Sequence, residues 1–402
     1  MNTNVIRVGD DYFKFVEYFN ANQEVESKMV AIKRQTLTDD FGREFLRGVP
    51  KYDMFCNIPD NDGTARIPKN LYNLYTPLNH RAKHGDWKWT KILIEHIFQD
   101  QYELGMDYIQ LLYQKPLQLL PVLCLVSKEN QTGKTTFLNW LRMIFRENII
   151  VIGNQEIQSQ FNFMYGHKLI IAIEESRIER TNAQEKIKAM ATQTKVVMNE
   201  KFQRAHTVDY FGKIILVSNH EDNFISANKE DIRYWIHKIP TIPPHNNNFD
   251  IEDNLRDEVP AFLHHIKTRD LSTKKESRAW FAINLIETSA LHKVREYSHT
   301  PLFFDLREAL ISFFATNEQD VLKATAKQLI EHLLPKNNQY NTKYLTKVLK
   351  DEFEKQPVFG RFNEPAFNWL GGAGQFYIFN KEDYTTDEPE AIEETKIDVL
   401  PF

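Results

Sequence analysis

The hydrophobic pattern is most regular in the middle third of the chain, where short, wholly apolar runs are separated by segments of helical period. Val122-Leu123-Cys124-Leu125-Val126, Ile149-Ile150-Val151-Ile152, Leu169-Ile170-Ile171-Ala172-Ile173 and Ile214-Ile215-Leu216-Val217 lack the polar alternation of a half-solvated strand. Such runs predict strands buried on both faces of a parallel sheet. After the first of them, Phe137, Leu138, Leu141, Ile144 and Phe145 recur at 3.6-residue spacing and predict a helix. Asp231 to Ile236 leads into a further strand. Residues 119–245 therefore read as an α/β core with a parallel sheet.

The flanks read differently. Residues 1–86 are a mixed N-terminal region with strands at 5–8 and 29–32, and Tyr52, Tyr72 and Tyr75 there read as packing. Residues 87–118 form a helical collar, with Ile92, Leu93, His96, Ile97, Met106, Ile109 and Leu112 on repeating turns, closed by Pro116 and Pro121. Residues 186–192 read as a helix, and 195–208 as a hairpin with Lys201, Arg204 and His206 near its turn. A solvated charge run is the ordinary explanation for those three. Residues 246–300 begin as a loop and continue as Leu- and Phe-rich helices, in which His264 and His265 read as plain surface or core histidines.

Residues 301–380 read as helices near 306–314, 324–334 and 342–353, then a strand at 374–379. Three short helices and a hairpin predict a winged-helix domain whose third helix carries Lys343, Lys347 and Lys350; such domains bind duplex DNA or protein. Residues 381–402 hold eight acidic residues against Lys381 and Lys396 and should be a disordered tail. The tail's Pro401-Phe402 end resembles the tip of bacterial single-stranded-DNA-binding proteins, and a plain solubilising role is the rival reading.

Composition narrows the class. With 42% hydrophobic and 26% charged residues the chain is an ordinary globular protein. No apolar run reaches the roughly 18 residues of a membrane span, and Met1-Asn2-Thr3-Asn4 does not open a signal peptide, so a cytoplasmic protein without membrane contact is expected. Cys56 and Cys124 are far apart and suggest neither a disulfide framework nor a zinc site. A net charge of -5 and a pI near 6.3 argue against a broadly basic nucleic-acid surface, so any such contact must be a local patch.

The candidate chemistry lies at the ends of the apolar runs. Between the first strand and its helix stands Ser127-Lys128-Glu129-Asn130-Gln131-Thr132-Gly133-Lys134-Thr135-Thr136, the strand-loop-helix setting of a phosphate-binding loop. Backbone N–H groups of Asn130 to Thr136 would cradle phosphates, Lys134 would reach the β- and γ-phosphates of ATP, and Thr135 would hold Mg2+. Lys128 stands where the usual motif has its first glycine, so the loop must bend there without one. The rival reading is a lysine-rich turn. The third strand ends in Glu174-Glu175, placed for Glu174 to hold the metal through water and Glu175 to polarise the attacking water. Two solvated glutamates capping the next helix is the alternative. Asn219 ends the fourth strand, where it would sense the γ-phosphate or serve as a turn residue.

The P-loop, the Glu174-Glu175 pair, the lysine-bearing hairpin and Ser218-Asn219, in that order, resemble motifs A, B, B′ and C of the superfamily 3 helicases. Within that group the chain is similar to the phage, plasmid and poxvirus-type primase-helicase branch, helicase part only, since no primase motif is visible. The resemblance implies an AAA+-like ATPase domain, a homo-hexameric ring with ATP between neighbours, and 3′-to-5′ movement on single-stranded DNA, forks included. It makes Lys201 the hairpin lysine, Asn219 the sensor and Arg233 the finger inserted by a neighbouring subunit. Many relatives have two arginines where this chain has Ile232-Arg233. The expected function is an ATP-driven replicative helicase of a phage, plasmid or integrated element, with replication-protein contacts through the winged helix or acidic tail. A nucleic-acid-stimulated ATPase that loads or remodels replication proteins without unwinding is the first alternative, and a P-loop kinase for a small acceptor the second.

Overall fold

The computed structural model describes residues 4–19, 25–78, 80–174, 182–199, 206–227, 231–242, 250–334, 340–367 and 369–384. The chain divides into two compact units between Val294 and Arg295.

Among the described residues of the first unit, five parallel strands form the central sheet: β1 (Val122–Val126), β2 (Ile149–Ile152), β3 (Ile170–Ile173), β4 (Lys213–Ser218) and β5 (Tyr234–Lys238). Their order across the sheet is β5-β1-β4-β3-β2, and every neighbouring pair is parallel. Burial on both faces explains the apolar runs. Leu123 and Leu125 of β1 join a core with Phe137, Trp140 and Phe262, while Val122, Cys124 and Val126 join a second core with Ile171, Ile187 and Tyr210. From β1 the chain runs to the far edge at β2, returns through β3 and β4, then crosses to β5. The carboxyl end of β1 therefore lies where the winding reverses, the place at which an open α/β sheet leaves a crevice for a ligand.

One face of the sheet is covered by helix Lys134–Phe145 and by collar helices Lys88–Phe98 and Tyr102–Gln114. The two collar helices approach closely because residue 105 is glycine: a Cβ there would lie 2.3 Å from the Phe98 ring. Helix Ile251–Thr268 shares this core through Leu255, Val259, Phe262 and Ile266. Its Glu258 carboxylate accepts the Trp89 and Thr90 N–H groups at 3.0 and 2.8 Å, at a helix start whose amides lack intrahelical partners. His264 and His265 are spent on packing, facing the rings of His84 and Trp87 respectively.

The N-terminal sheet runs in the order Val25–Ile32, Asp11–Phe19, Val5–Val8, Lys51–Tyr52. The hydrophobic pattern does not single out Asp11–Phe19, whose half-exposed far end blurs its alternation. Ile6, Val8 and Phe13 share a small core with Phe55 and with Met198 and Val208 of the hairpin formed by Lys195–Met198 and His206–Asp209. Tyr75 is buried and the rings of Tyr52 and Tyr72 meet edge to face, so these tyrosines pack.

The second unit runs helix Pro301–Thr316, strand Val321–Ala324, a short helix Ala326–Gln328 continuing into π turn Leu329–Leu333, helix Thr342–Asp351, and strands Val358–Glu364 and Trp369–Asn380. The last strand is the middle of a three-stranded antiparallel sheet. The helix expected to begin at 324 begins later because Val321–Ala324 is a strand. Thr325 separates the two with a capping box, its hydroxyl accepting the Gln328 N–H at 3.1 Å while the Gln328 side chain accepts the Thr325 N–H at 2.9 Å. Among the described residues no helix is long and apolar enough to cross a membrane, and Cys56 and Cys124 are free thiols.

Lys213, at the start of β4, is buried and donates to the carbonyls of Pro116 and Phe211. Burial pushes its ammonium down to about 7. The unfolded chain holds that proton to about pH 10.4, so between the two values the unfolded state binds more protons and this group's contribution to stability rises with pH. Below pH 7 its full penalty is present. The stability of the wild type relative to Lys213→Met is therefore expected to improve steadily from pH 7 to pH 10 in denaturant titrations; a difference that stays flat with pH would refute the buried-ammonium account.

Candidate functional site

The loop after β1 is shaped by its own hydroxyls. Ser127 Oγ donates to the Glu129 carbonyl at 2.7 Å and lies 3.2 Å from Thr132 Oγ1. Lys134 Nζ donates to Ser127 Oγ and, at 3.1 Å, to Thr132 Oγ1. Two residues take positive φ, Gln131 at 57° and Gly133 at 79°; the glycine is the N-cap of helix Lys134–Phe145 and is suited to that left-handed turn. Lys128 is not among the residues with positive φ. The first bend of this loop therefore does not require the glycine that the usual motif places there. Burial lowers the Lys134 ammonium from its ordinary value, with the charge of Glu221 opposing. A lysine held inside the loop by two hydroxyls is preorganised to exchange them for phosphate oxygens.

The loop forms one wall of a cleft of about 310 Å³, lined by Asn130 to Thr136 together with Glu174, Val217, Ser218 and Asn219. The convergence follows from strand order. β4 lies between β1 and β3, so the residues leaving β1, β3 and β4 meet at one edge of the sheet. Of the sequence-predicted residues, Asn130, Gln131, Thr132, Gly133, Lys134, Thr135, Thr136, Glu174 and Asn219 are brought together here. Glu175, Lys201 and Arg204 lie outside the described residues.

His206 and Arg233 lie elsewhere. His206 opens the second hairpin strand opposite Met198, and its half-buried ring stacks on Phe55 with centroids 5.2 Å apart. This places His206 at the cross-strand pair next to the turn, with its ring packed on Phe55. Arg233 precedes β5, at the amino edge of the sheet, where its carbonyl accepts the Val122 N–H. Its guanidinium pairs with the buried Asp231 at 2.9 Å. The five residues of β1 separate that edge from the cleft by roughly 16 Å.

Over residues 125–233 the chain matches the model of a family described as a family of unknown function (DUF5906). That stretch runs from β1 to Arg233 and contains the whole cleft. No curated protein matches the sequence. Among solved structures, the chain is similar to the apo structure of the NrS-1 C terminal region, with a TM-score of 0.63 at 14% identity over 91% of this chain and 96% of that one. The chain shares its fold. An A form apo structure of the same region gives a TM-score of 0.61 with the same identity and coverage. A JCV helicase bound to a small molecule overlaps far less, with a TM-score of 0.32 at 12% identity over 56% of this chain and 64% of that one, and bears on neither fold nor function.

Two residues at the site carry no motif that sequence reasoning could find. His96, from the collar, lies with Nε2 3.1 Å from the Thr132 carbonyl, which requires Nε2 to be the donor. Burial lowers its pKa, the bond to Thr132 opposing, and so favours the neutral ring. Glu221, two residues past Asn219, accepts the Lys128 N–H at 3.0 Å and pairs with Lys238 of β5 at 3.0 Å. The residues present suit a nucleotide with its magnesium: a helix N-terminus with an inward lysine, a hydroxyl at Thr135 and one carboxylate at Glu174. Among the described residues no cluster of three or more His, Cys, Asp or Glu offers a metal cage. Magnesium needs none, since it is ordinarily held by few protein ligands, waters and phosphate oxygens.

Proposed function

We propose that this chain is an ATP-driven replicative DNA helicase of a phage, plasmid or integrated element, acting as a ring on single-stranded DNA. The observation that carries the reading is the cleft itself, where the P-loop lysine, Glu174 and Asn219 arrive from three adjacent parallel strands. In this account Lys134 binds the β- and γ-phosphates, Thr135 and Glu174 hold Mg2+, and Asn219 contacts the γ-phosphate. The metal supplies charge neutralisation for phosphoryl transfer. Glu175 orients the attacking water and accepts its proton. The second unit's order of helix, strand, two helices and two strands supports the winged-helix assignment, with Lys343, Lys347 and Lys350 exposed on its third helix. The reading is tested by measuring ATP hydrolysis with and without single-stranded DNA: stimulation is expected, and its absence would favour small-molecule phosphoryl transfer.

The position of Arg233 gives the ring part of this proposal its own test. At the amino edge of the sheet it is remote from its own cleft, so it serves as a finger only across a subunit boundary. Arg233→Ala and Lys134→Ala subunits, each inactive alone, are expected to recover part of the ATPase when mixed, because some interfaces then pair an intact P-loop with an intact finger. No recovery in rings shown to be mixed would end the trans role.

A further inference from the structure

The departure of the P-loop from its usual form at Lys128 has a structural counterpart. The Lys128 N–H points at Glu221, whose side chain is 10% exposed and whose second oxygen holds the ammonium of Lys238. Three loops or strand ends thus meet at one carboxylate: the first bend of the P-loop, the segment just past Asn219, and the carboxyl end of β5. The same ends are stitched by backbone bonds, Ser127 N–H to the Ser218 carbonyl at 3.2 Å and Ile239 N–H to the Val126 carbonyl at 2.8 Å. Desolvation raises the Glu221 carboxyl, but the Lys128 N–H and the Lys238 ammonium outweigh it and leave the group below its ordinary value, so it is an anion at neutral pH. That anion also faces Lys134 closely enough to oppose the effect of burial on it.

We infer that Glu221 is a positioning residue of the nucleotide site: it holds the first bend of the P-loop at the Lys128 N–H and ties the P-loop to the segment carrying Asn219. The inference rests on the reading of the cleft as an ATP site. It requires the tie to act on nucleotide affinity, because Glu221 is not among the residues lining the cleft and reaches the phosphates only through the loop.

The test is equilibrium titration of the full chain with a fluorescent ATP analogue and Mg2+, beside steady-state turnover and a thermal melt. Loss of a charge-assisted hydrogen bond to the loop predicts that Glu221→Ala weakens binding roughly tenfold, with turnover at saturating ATP within about twofold of wild type. Glu221→Gln keeps an acceptor for the Lys128 N–H and is expected within about threefold of wild type. The exposed Lys238 permits an independent variant, Lys238→Met, whose modest loss should vanish in the Glu221→Ala background. Wild-type affinity in Glu221→Ala, a lower melting temperature without a change in affinity, or equal losses in the alanine and glutamine variants would overturn the positioning role. If the wild type itself binds no ATP analogue, the ATP reading falls instead.

Discussion

Lys134→Ala is expected to lower ATP affinity and turnover by about 100-fold to 1,000-fold, whereas Glu175→Gln should bind ATP normally and hydrolyse it about 100-fold more slowly or worse. The two changes remove different things. Lys134 is the buried cation of the loop, already held in place by Ser127 and Thr132, so its loss forfeits a preorganised phosphate contact rather than a flexible one. Glu175 follows the carboxylate that lines the cleft, at the end of a strand whose position is set by pairing on both sides with β4 and β2. In the proposed role its glutamine variant keeps the shape and loses only the base. Nucleotide binding and single-turnover hydrolysis, measured on both variants, separate the roles; normal hydrolysis by Glu175→Gln would return the acidic pair to the solvated-cap reading.

The second large effect concerns the hairpin. Its strands Lys195–Met198 and His206–Asp209 are anchored by Met198 and Val208 in the N-terminal core, by Phe55 stacked on His206, and by the Asn57 side chain donating to the Asp209 carbonyl at 3.1 Å. A hairpin whose strands are packed up to the pair next to the turn can transmit motion to that turn. In the proposed function a chain of net charge -5 that moves along DNA needs local positive charge where the strand passes, the role proposed for Lys201 and Arg204. Lys201→Ala/Arg204→Ala is therefore expected to leave basal ATPase largely intact, weaken single-strand binding, reduce the log-log salt slope by roughly one to two units, and abolish unwinding. Wild-type unwinding in this double variant would make the hairpin an ordinary solvated surface. His206 is expected to behave differently: half-buried on Phe55, it belongs to the anchor, and its replacement should cost stability before it costs DNA affinity.

The elements legible in the sequence are those whose physics is local or strictly periodic. β1, β2 and β4 are set by apolar runs that burial on both faces demands, and the loop after β1 is recognised by its setting between strand and helix. Asp11–Phe19 and Val321–Ala324 are missed for opposite reasons. The first leaves its far end half exposed and loses its alternation; the second is four residues long and adjoins a helical segment that absorbs it. At the site, Glu174 and Asn219 are legible because each follows a readable strand, and Lys134 because it opens the readable helix after the loop that leaves β1. Glu221 and His96 are not, because their partners lie 93 and 36 residues away and the bonds go to backbone atoms, which leave no signature in sequence. The union of the N-terminal sheet with the hairpin is hidden in the same way: Phe55 and His206 meet only after both flanks have folded.

Every residue at the cleft is shared between a motor that unwinds DNA and an ATPase that loads or remodels partners, so the deciding measurement is strand displacement. Forked duplexes with a single 3′ or 5′ tail, in DNA and RNA forms, are incubated with the chain, ATP and Mg2+. The account predicts ATP-dependent displacement of DNA forks loaded from the 3′ tail, none with Glu175→Gln and none from the 5′ tail. ATP hydrolysis stimulated by single-stranded DNA with no displacement from any fork would contradict it.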